Sequence, residues 1–407
     1  MPIEIRTITA DEAVPFRRAV RYGFANAETV DDEEWARTHM APADRAYAAF
    51  DGPAIVATLR SFPTDLTVPG GASIAAGALT SVTCHATHRR QGLLTRMITA
   101  DLADSARRGE AAHVLIASEY PIYGRFGYGP ATDSIRWELD TTATGFVQPG
   151  AGTVEFVDND TFRKEAPAVF ERVREQRPGM IGRSDVVWDR QADLHRPPED
   201  KPWPGFRVLA RDDDGAAQGW ANYTVVADWT DLRPGSTVEV ADLCAATPAA
   251  EARLWRFLAE IDLTTTVKAQ DRPVDDRLPW LLDNARAARP MVRTDFLWVR
   301  LLDVPSSLAT RSYAATGRVV LEVVDPLGLA GGRFDLDVSP DGAACEPTAE
   351  PADVTVPVQA LGAAYLGGAR LTTLHAAGWL DEHAPGAVDA ADAMFAGRIA
   401  PWCNTWF

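Results

Sequence analysis

Two groups of residues have types and spacings that suit chemistry. The first is Arg89-Arg90-Gln91-Gly92-Leu93-Leu94-Thr95, which follows the apolar run Ala75 to Cys84 and leads into a helical pattern with Leu93, Leu94, Met97, Ile98 and Leu102 on one face. Unpaired N–H groups at a helix start converge on one point, the helix dipole favours an anion there, and a glycine at position 92 lets the backbone come close. The neighbouring arginines add positive charge. A phosphate-bearing ligand is therefore expected. The run has neither GKS nor GKT after its glycine and the chain has no GxGxxG, so nucleoside triphosphates and NAD are poor candidates. The second group is Ser118-Glu119-Tyr120-Pro121-Ile122-Tyr123-Gly124-Arg125-Phe126-Gly127-Tyr128-Gly129-Pro130, where three phenols alternate with glycines in a compact turn. A phenol can hand over a proton, but residue type alone does not choose among Tyr120, Tyr123 and Tyr128. His85 and His88 flank the first group, yet no third ligand stands at a suitable spacing, and no metal is expected.

The elements that must position these residues read as strand and helix first. Ile3 to Ile8 alternates as a half-buried strand, and Thr9 with Asp11 caps an amphipathic segment running to about Phe24. Ala46 to Ala57, turning at Asp51-Gly52-Pro53, and Asp65 to Thr83, turning at Pro69-Gly70-Gly71, predict two hairpins. The loop HATHRRQG and its helix follow, then HVLIASE as a buried strand. This is an α+β layer and not a doubly wound repeat. After a Gly/Pro break at VQPGAG a second unit echoes the order: TVEFV, a helix, a hairpin around Asp214-Gly215, STVEVADL and the helix AAEARLWRFLAEI. It has TPAAEA where the first unit has THRRQG. From about Met291 a third region opens with FLWVRLLD, followed by two strand-like runs, Ala-rich helical segments and GRIAPWCNTWF. The expected units are 1–148, 149–290 and 291–407.

At 407 residues the chain exceeds the ~250 to 300 residues at which one core stops growing, which agrees with several units. A net charge of −17 disfavours nucleic acid and anionic membranes as partners and attracts small polycations. The four cysteines are far apart with no CxxC pair, and no stretch approaches a membrane span, so a cytoplasmic protein is expected.

The loop is similar to the R/Q-x-x-G-x-G/A motif with which Gcn5-related N-acetyltransferases hold the pyrophosphate of coenzyme A; Arg89 and Gly92 fit, and Leu94 replaces the last small residue. SE…IYGRFGYGPAT together with THRRQGLLT, in a chain of this length, resembles the enhanced intracellular survival (Eis) family of aminoglycoside acetyltransferases over essentially the whole sequence. The resemblance implies two acetyltransferase domains, the second degenerate, and a sterol-carrier-like third. It implies acetyl-CoA as co-substrate, bound by Val82, Thr83, Cys84, Arg89, Arg90, Gln91, Gly92, Leu93, Leu94, Thr95, Ser118 and Glu119, its pantetheine arm lying between parted strands. It makes Tyr123 the general acid and the carboxylate of Phe407 the second catalytic group. Phe24, Glu28 and Trp35, in the acidic stretch RYGFANAETVDDEEW, would meet a small cationic amine, and a homo-hexamer is implied. The rivals are a protein lysine Nε-acetyltransferase and, outside enzymes, an acetyl-CoA-sensing or lipid-carrier protein.

Overall fold

The computed structural model describes residues 3–26, 36, 43–148, 150–196 and 200–407. Glu28 and Trp35 lie outside these residues. The chain begins with β1 (Glu4–Thr7), α1 (Ala13–Gly23), β2 (Ala46–Asp51), β3 (Ala54–Thr67) and β4 (Ser73–Cys84). The two expected hairpins share β3 and form an antiparallel meander. Helix α2 (Leu93–Arg107) crosses over to β5 (Ala112–Ile116), which lies parallel to β4; the short helix α3 (Tyr120–Tyr123) and β6 (Gly129–Pro130) follow.

The next strand, β7 (Asp133–Asp140), leaves this sheet and pairs inside a second one. That sheet holds β8 (Thr153–Phe156), β9 (Phe206–Arg211) and β10 (Ala217–Val226). After the ribbon β11 (Trp229–Thr230) and β12 (Arg233–Pro234) come β13 (Ser236–Ala245), β14 (Thr264–Arg272) and β15 (Ala288–Asp295). Helices α4 (Asn159–Arg174), α5 (Asp185–Gln191) and α6 (Pro248–Ala259) accompany it. Then β16 (Leu297–Leu301) returns to the first sheet, between β5 and β6. The sheet orders are β1-β2-β3-β4-β5-β16-β6 and β8-β9-β10-β13-β14-β7-β15. They have the same seven places, and each sixth place is filled from the other's stretch of chain. The units divided at 148 and 290 therefore do not coincide with the sheets: β7 belongs with the second, and FLWVRLLD, read with the third region, completes the first.

The third unit is a five-stranded sheet, β17 (Gly317–Val324), β18 (Gly332–Ser339), β19 (Gly342–Pro347), β20 (Val354–Pro357) and β21 (Asp381–Glu382), with helices at 304–310, 358–364, 371–376 and 387–395. Its Leu321, Leu336 and Leu361 share one core with Ala78, Val114 and Val299 of the first sheet. The opposite face of that sheet packs on α2 through Leu59, Leu79, Leu115 and Met97. Being covered on both sides explains why β5 and β16 read as nearly unbroken apolar runs. No described helix is long and apolar enough to cross a membrane.

Candidate active site

The β4–β5 pair holds only from Ala76↔Ala112 to Leu79↔Leu115. Ser81 then takes φ 56°, and a bulge shifts the β3–β4 register between Thr58 and Arg60. Past it Thr83 and Cys84 pair with β3 alone, so the strand edge that faced β5 is released. A gap opens between Val82-Thr83-Cys84 and Ala117-Ser118-Glu119, as an inserted extended ligand requires. Its floor is fixed by Thr58 and Thr83, whose hydroxyls lie 2.7 Å apart.

At one end of the gap Arg90 and Gly92 have φ of 64° and 72°, and Gly92 is the left-handed N-cap of α2. A Cβ on Gly92 would meet nothing within 4 Å; the glycine is required by its dihedral and not by crowding. The first N–H committed inside the helix is that of Arg96, to the Gly92 carbonyl at 3.1 Å, which leaves the amides of Leu93, Leu94 and Thr95 pointing outward. Arg89, Arg90, Gln91 and Thr95 are exposed around them, and the Leu93 side chain is buried beneath. These residues fit a pyrophosphate. In the second unit Pro248 and Thr247 close the corresponding helix start, Thr247 accepting from the Ala250 N–H. Glu251 in its first turn bonds Arg272 and Arg277.

Burial separates the three phenols. Tyr120 is exposed and packs edge-on against Trp298 at 4.8 Å. Tyr128 is fully buried with its hydroxyl 2.7 Å from His113 Nδ1. Tyr123, only 4% exposed, ends α3 beside the gap. Burial raises its pKa above the ordinary phenol value; a hydrogen bond with Ser118 opposes this, and the Glu119 charge adds to it. The Tyr123 hydroxyl therefore keeps its proton at neutral pH. Ser118 and Glu119 are exposed at the rim. Cys84 is half-buried, its thiol pushed up by burial against a smaller effect of Arg89.

The C-terminal tail is held by the second unit. Arg183 donates from Nε to Thr405 Oγ1 and from Nη2 to the Asn404 carbonyl, both at 2.9 Å. Asn404 donates to Asp242 at 3.0 Å, and the indoles of Trp402 and Trp406 reach the Asp271 carbonyl and carboxylate, each at 2.7 Å. Residues 401–405 are buried. The tail ends with the Phe407 ring edge-on to Phe62 of β3 at 5.5 Å, on the sheet face toward the third unit. Tyr123 belongs to the cluster on the opposite face. Among the described residues no hydrogen bond or ring contact joins the two. Arg60, which the sequence reading passed over, has its guanidinium 5.9 Å from the Phe62 ring, and burial pushes its pKa down to about 10.

Phe24 is the exposed C-cap of α1. Tyr22, also missed from sequence, is exposed there with its ring 4.9 Å from that of His85; the available signal was its place two residues before Phe24. The helix end is set against β4 by Gly23, where a Cβ would fall 2.3 Å from Thr83 Cβ. Gly23→Ala is expected to cost roughly 1–3 kcal/mol by overpacking, read as a lower melting temperature. His88 Nε2 lies 3.4 Å from Asp51, and among the described residues no three His, Cys, Asp or Glu side chains are grouped for a metal ion.

Comparison with known proteins bears on the same elements. Residues 4–131 and 179–301 each match an acetyltransferase (GNAT) domain, and residues 304–404 a sterol carrier protein domain. The first match ends just before β7 and the second with the last residue of β16. An uncharacterized N-acetyltransferase of Streptomyces avermitilis is 42% identical over 100% of this chain and 99% of its own. The N-acetyltransferase Eis of Mycobacterium tuberculosis is 35% identical over 88% of this chain and 89% of its own. The crystal structure of Eis1 from Mycobacterium abscessus superposes with a TM-score of 0.86 at 30% identity, covering 99% of this chain and 100% of that one. A GCN5-related N-acetyltransferase from Anabaena variabilis, 19% identical with a TM-score of 0.83 over 100% of both chains, shares the fold.

Proposed function

Because the chain belongs to the Eis family of N-acetyltransferases, we propose that it moves the acetyl group of acetyl-CoA directly onto an amine of an aminoglycoside or similar polyamine, both substrates being bound together. One observation carries this reading: the released edge of β4 runs from an open helix start to a buried phenol. Acetyl-CoA supplies an acyl group already activated as a thioester. The amides of Leu93 to Thr95 and the side chains of Arg89 and Arg90 hold its pyrophosphate, Val82 to Cys84 offer backbone groups to the pantetheine amides, and Ser118 and Glu119 border the opposite side. Tyr123 gives its proton to the departing sulfur. The Phe407 carboxylate takes one from the acceptor ammonium, directly or through water. In this reading, groups from the two faces of the sheet serve one reaction where the β4–β5 pairing has ended.

Phe24 and Tyr22 form an aromatic edge for the acceptor, and the net charge of −17 favours a polycation. Glu28 and Trp35 complete the acceptor site in this reading. Four free cysteines accord with a reducing cytoplasm. Self-association up to the family's hexamer is part of this proposal, and sedimentation velocity measures it.

The test is thiol release from acetyl-CoA against a panel of aminoglycosides, polyamines and lysine peptides, with mass spectrometry of the products. Acetylated aminoglycoside or polyamine is expected; turnover confined to lysine peptides would replace the acceptor class. Arg90→Ala is expected to weaken acetyl-CoA several-fold by calorimetry, and unchanged affinity would remove Arg90 from the pyrophosphate site.

A further inference from the structure

We propose that Asp101, His113 and Tyr128 form a buried carboxylate–imidazole–phenol array that positions Tyr123. The proposal rests on the reading of Tyr123 as the acid. Asp101 comes from the middle of the apolar face of α2, His113 from β5, and Tyr128 from the turn after α3; they are 1%, 0% and 0% exposed. Tyr128 Oη lies 2.7 Å from His113 Nδ1, and His113 Nε2 lies 3.2 Å from Asp101 Oδ2. The second contact is close but is not an aligned hydrogen bond. Ser61 of β3 donates to the other carboxylate oxygen at 2.6 Å.

Such groups are expensive to bury, and an apolar trio of similar volume would hold this core at less cost. Other charges surround the imidazole. Arg300 stands opposite His113 in the β5–β16 pairing and bonds Asp325 at 2.9 Å, while Glu110, paired with Arg45, approaches from the α2–β5 turn. On the β4 side the neighbour is Gly77, where a Cβ would fall 2.6 Å from His113 Cδ2 and 2.7 Å from Glu110 Oε2. The imidazole occupies the space a side chain would need.

Nε2 faces the acceptor oxygen of Asp101 and Nδ1 faces the Tyr128 hydroxyl, so the hydroxyl is the donor to Nδ1. The imidazole proton then sits on Nε2, facing the carboxylate. This fixes the Tyr128 ring, whose edge meets the Tyr123 ring with centroids 6.2 Å apart, and the Tyr128 N–H donates to the Tyr123 carbonyl at 3.4 Å. Tyr123 is thereby held from its backbone and from its ring.

Tyr128→Phe keeps the ring and removes only the link; Asp101→Asn keeps the shape and removes the charge. Each is expected to lower kcat roughly ten-fold with KM for acetyl-CoA within about two-fold, in the range of lost support for a catalytic group. The double variant Tyr123→Phe/Tyr128→Phe is expected to be no slower than Tyr123→Phe, because the array acts through Tyr123; a merely structural role predicts additive losses. Wild-type kcat in Tyr128→Phe beside a slow Tyr123→Phe overturns the array alone. Wild-type kcat in Tyr123→Phe overturns both readings. Nitrogen-15 NMR of histidine-labelled wild-type protein needs no variant: among the seven histidines, the one whose ring N–H is shielded from solvent exchange is expected as the Nε2–H tautomer, and the Nδ1–H tautomer overturns the proposal.

Discussion

Tyr123→Phe is expected to lower kcat by roughly ten- to a thousand-fold, overlapping the lower part of the range for losing a general acid, with KM for acetyl-CoA nearly unchanged. The ring and its packing survive the substitution, so the loss reports the proton. The alternatives are weak on geometric grounds. Tyr120 stands outside against Trp298, and the Tyr128 hydroxyl is already committed to His113. The pH dependence follows from the raised Tyr123 pKa. A phenol donates only below its pKa, so activity should persist through neutral and mildly alkaline pH and fall as pH climbs past the ordinary phenol value. Tyr123→Phe should lack that alkaline limb. An alkaline limb retained in full, with wild-type kcat, would assign the proton to another group.

The second large effect concerns the tail. A few residues appended after Phe407 move the carboxylate onto a different atom, and kcat/KM is expected to fall by roughly a hundred-fold, as displacement of a catalytic group by an ångström or more can do. The melting temperature should stay nearly constant, since the anchors at Trp402, Asn404 and Thr405 lie before the extension. Arg183→Ala provides the complementary case: the end stays free while two hydrogen bonds to the tail and the Arg183 charge beside Asp242, 3.6 Å away, are lost. It should lower both activity and stability. Full activity in the extended chain would end the catalytic role of Phe407.

The sequence was informative where local rules act. Gly92 before an apolar helical face, the turn glycines of the two hairpins and the three-unit order are all readable from residue type and spacing. The strand exchange is not. FLWVRLLD announces a doubly buried strand, but nothing in an apolar run says which sheet will bury it. Tyr123 differs from Tyr120 and Tyr128 only in what surrounds it, which is a tertiary property. Asp101 and His113 are twelve positions apart and meet only because α2 lies across β5. The role of the second unit in gripping Trp402 to Thr405 was likewise hidden, since Arg183 and Asp242 are far from the tail in sequence.

The position of β16 bears on how the polypeptide is made. On the ribosome β5 is complete after residue 116, yet its neighbour at 297–301 emerges only after some 180 more amino acids. During that interval a hydrophobic strand has an open hydrogen-bonding edge, the kind of surface that recruits another nascent chain. Synthesis therefore has a vulnerable period ending when Leu301 clears the exit tunnel, and holdase chaperones would be most needed before that moment.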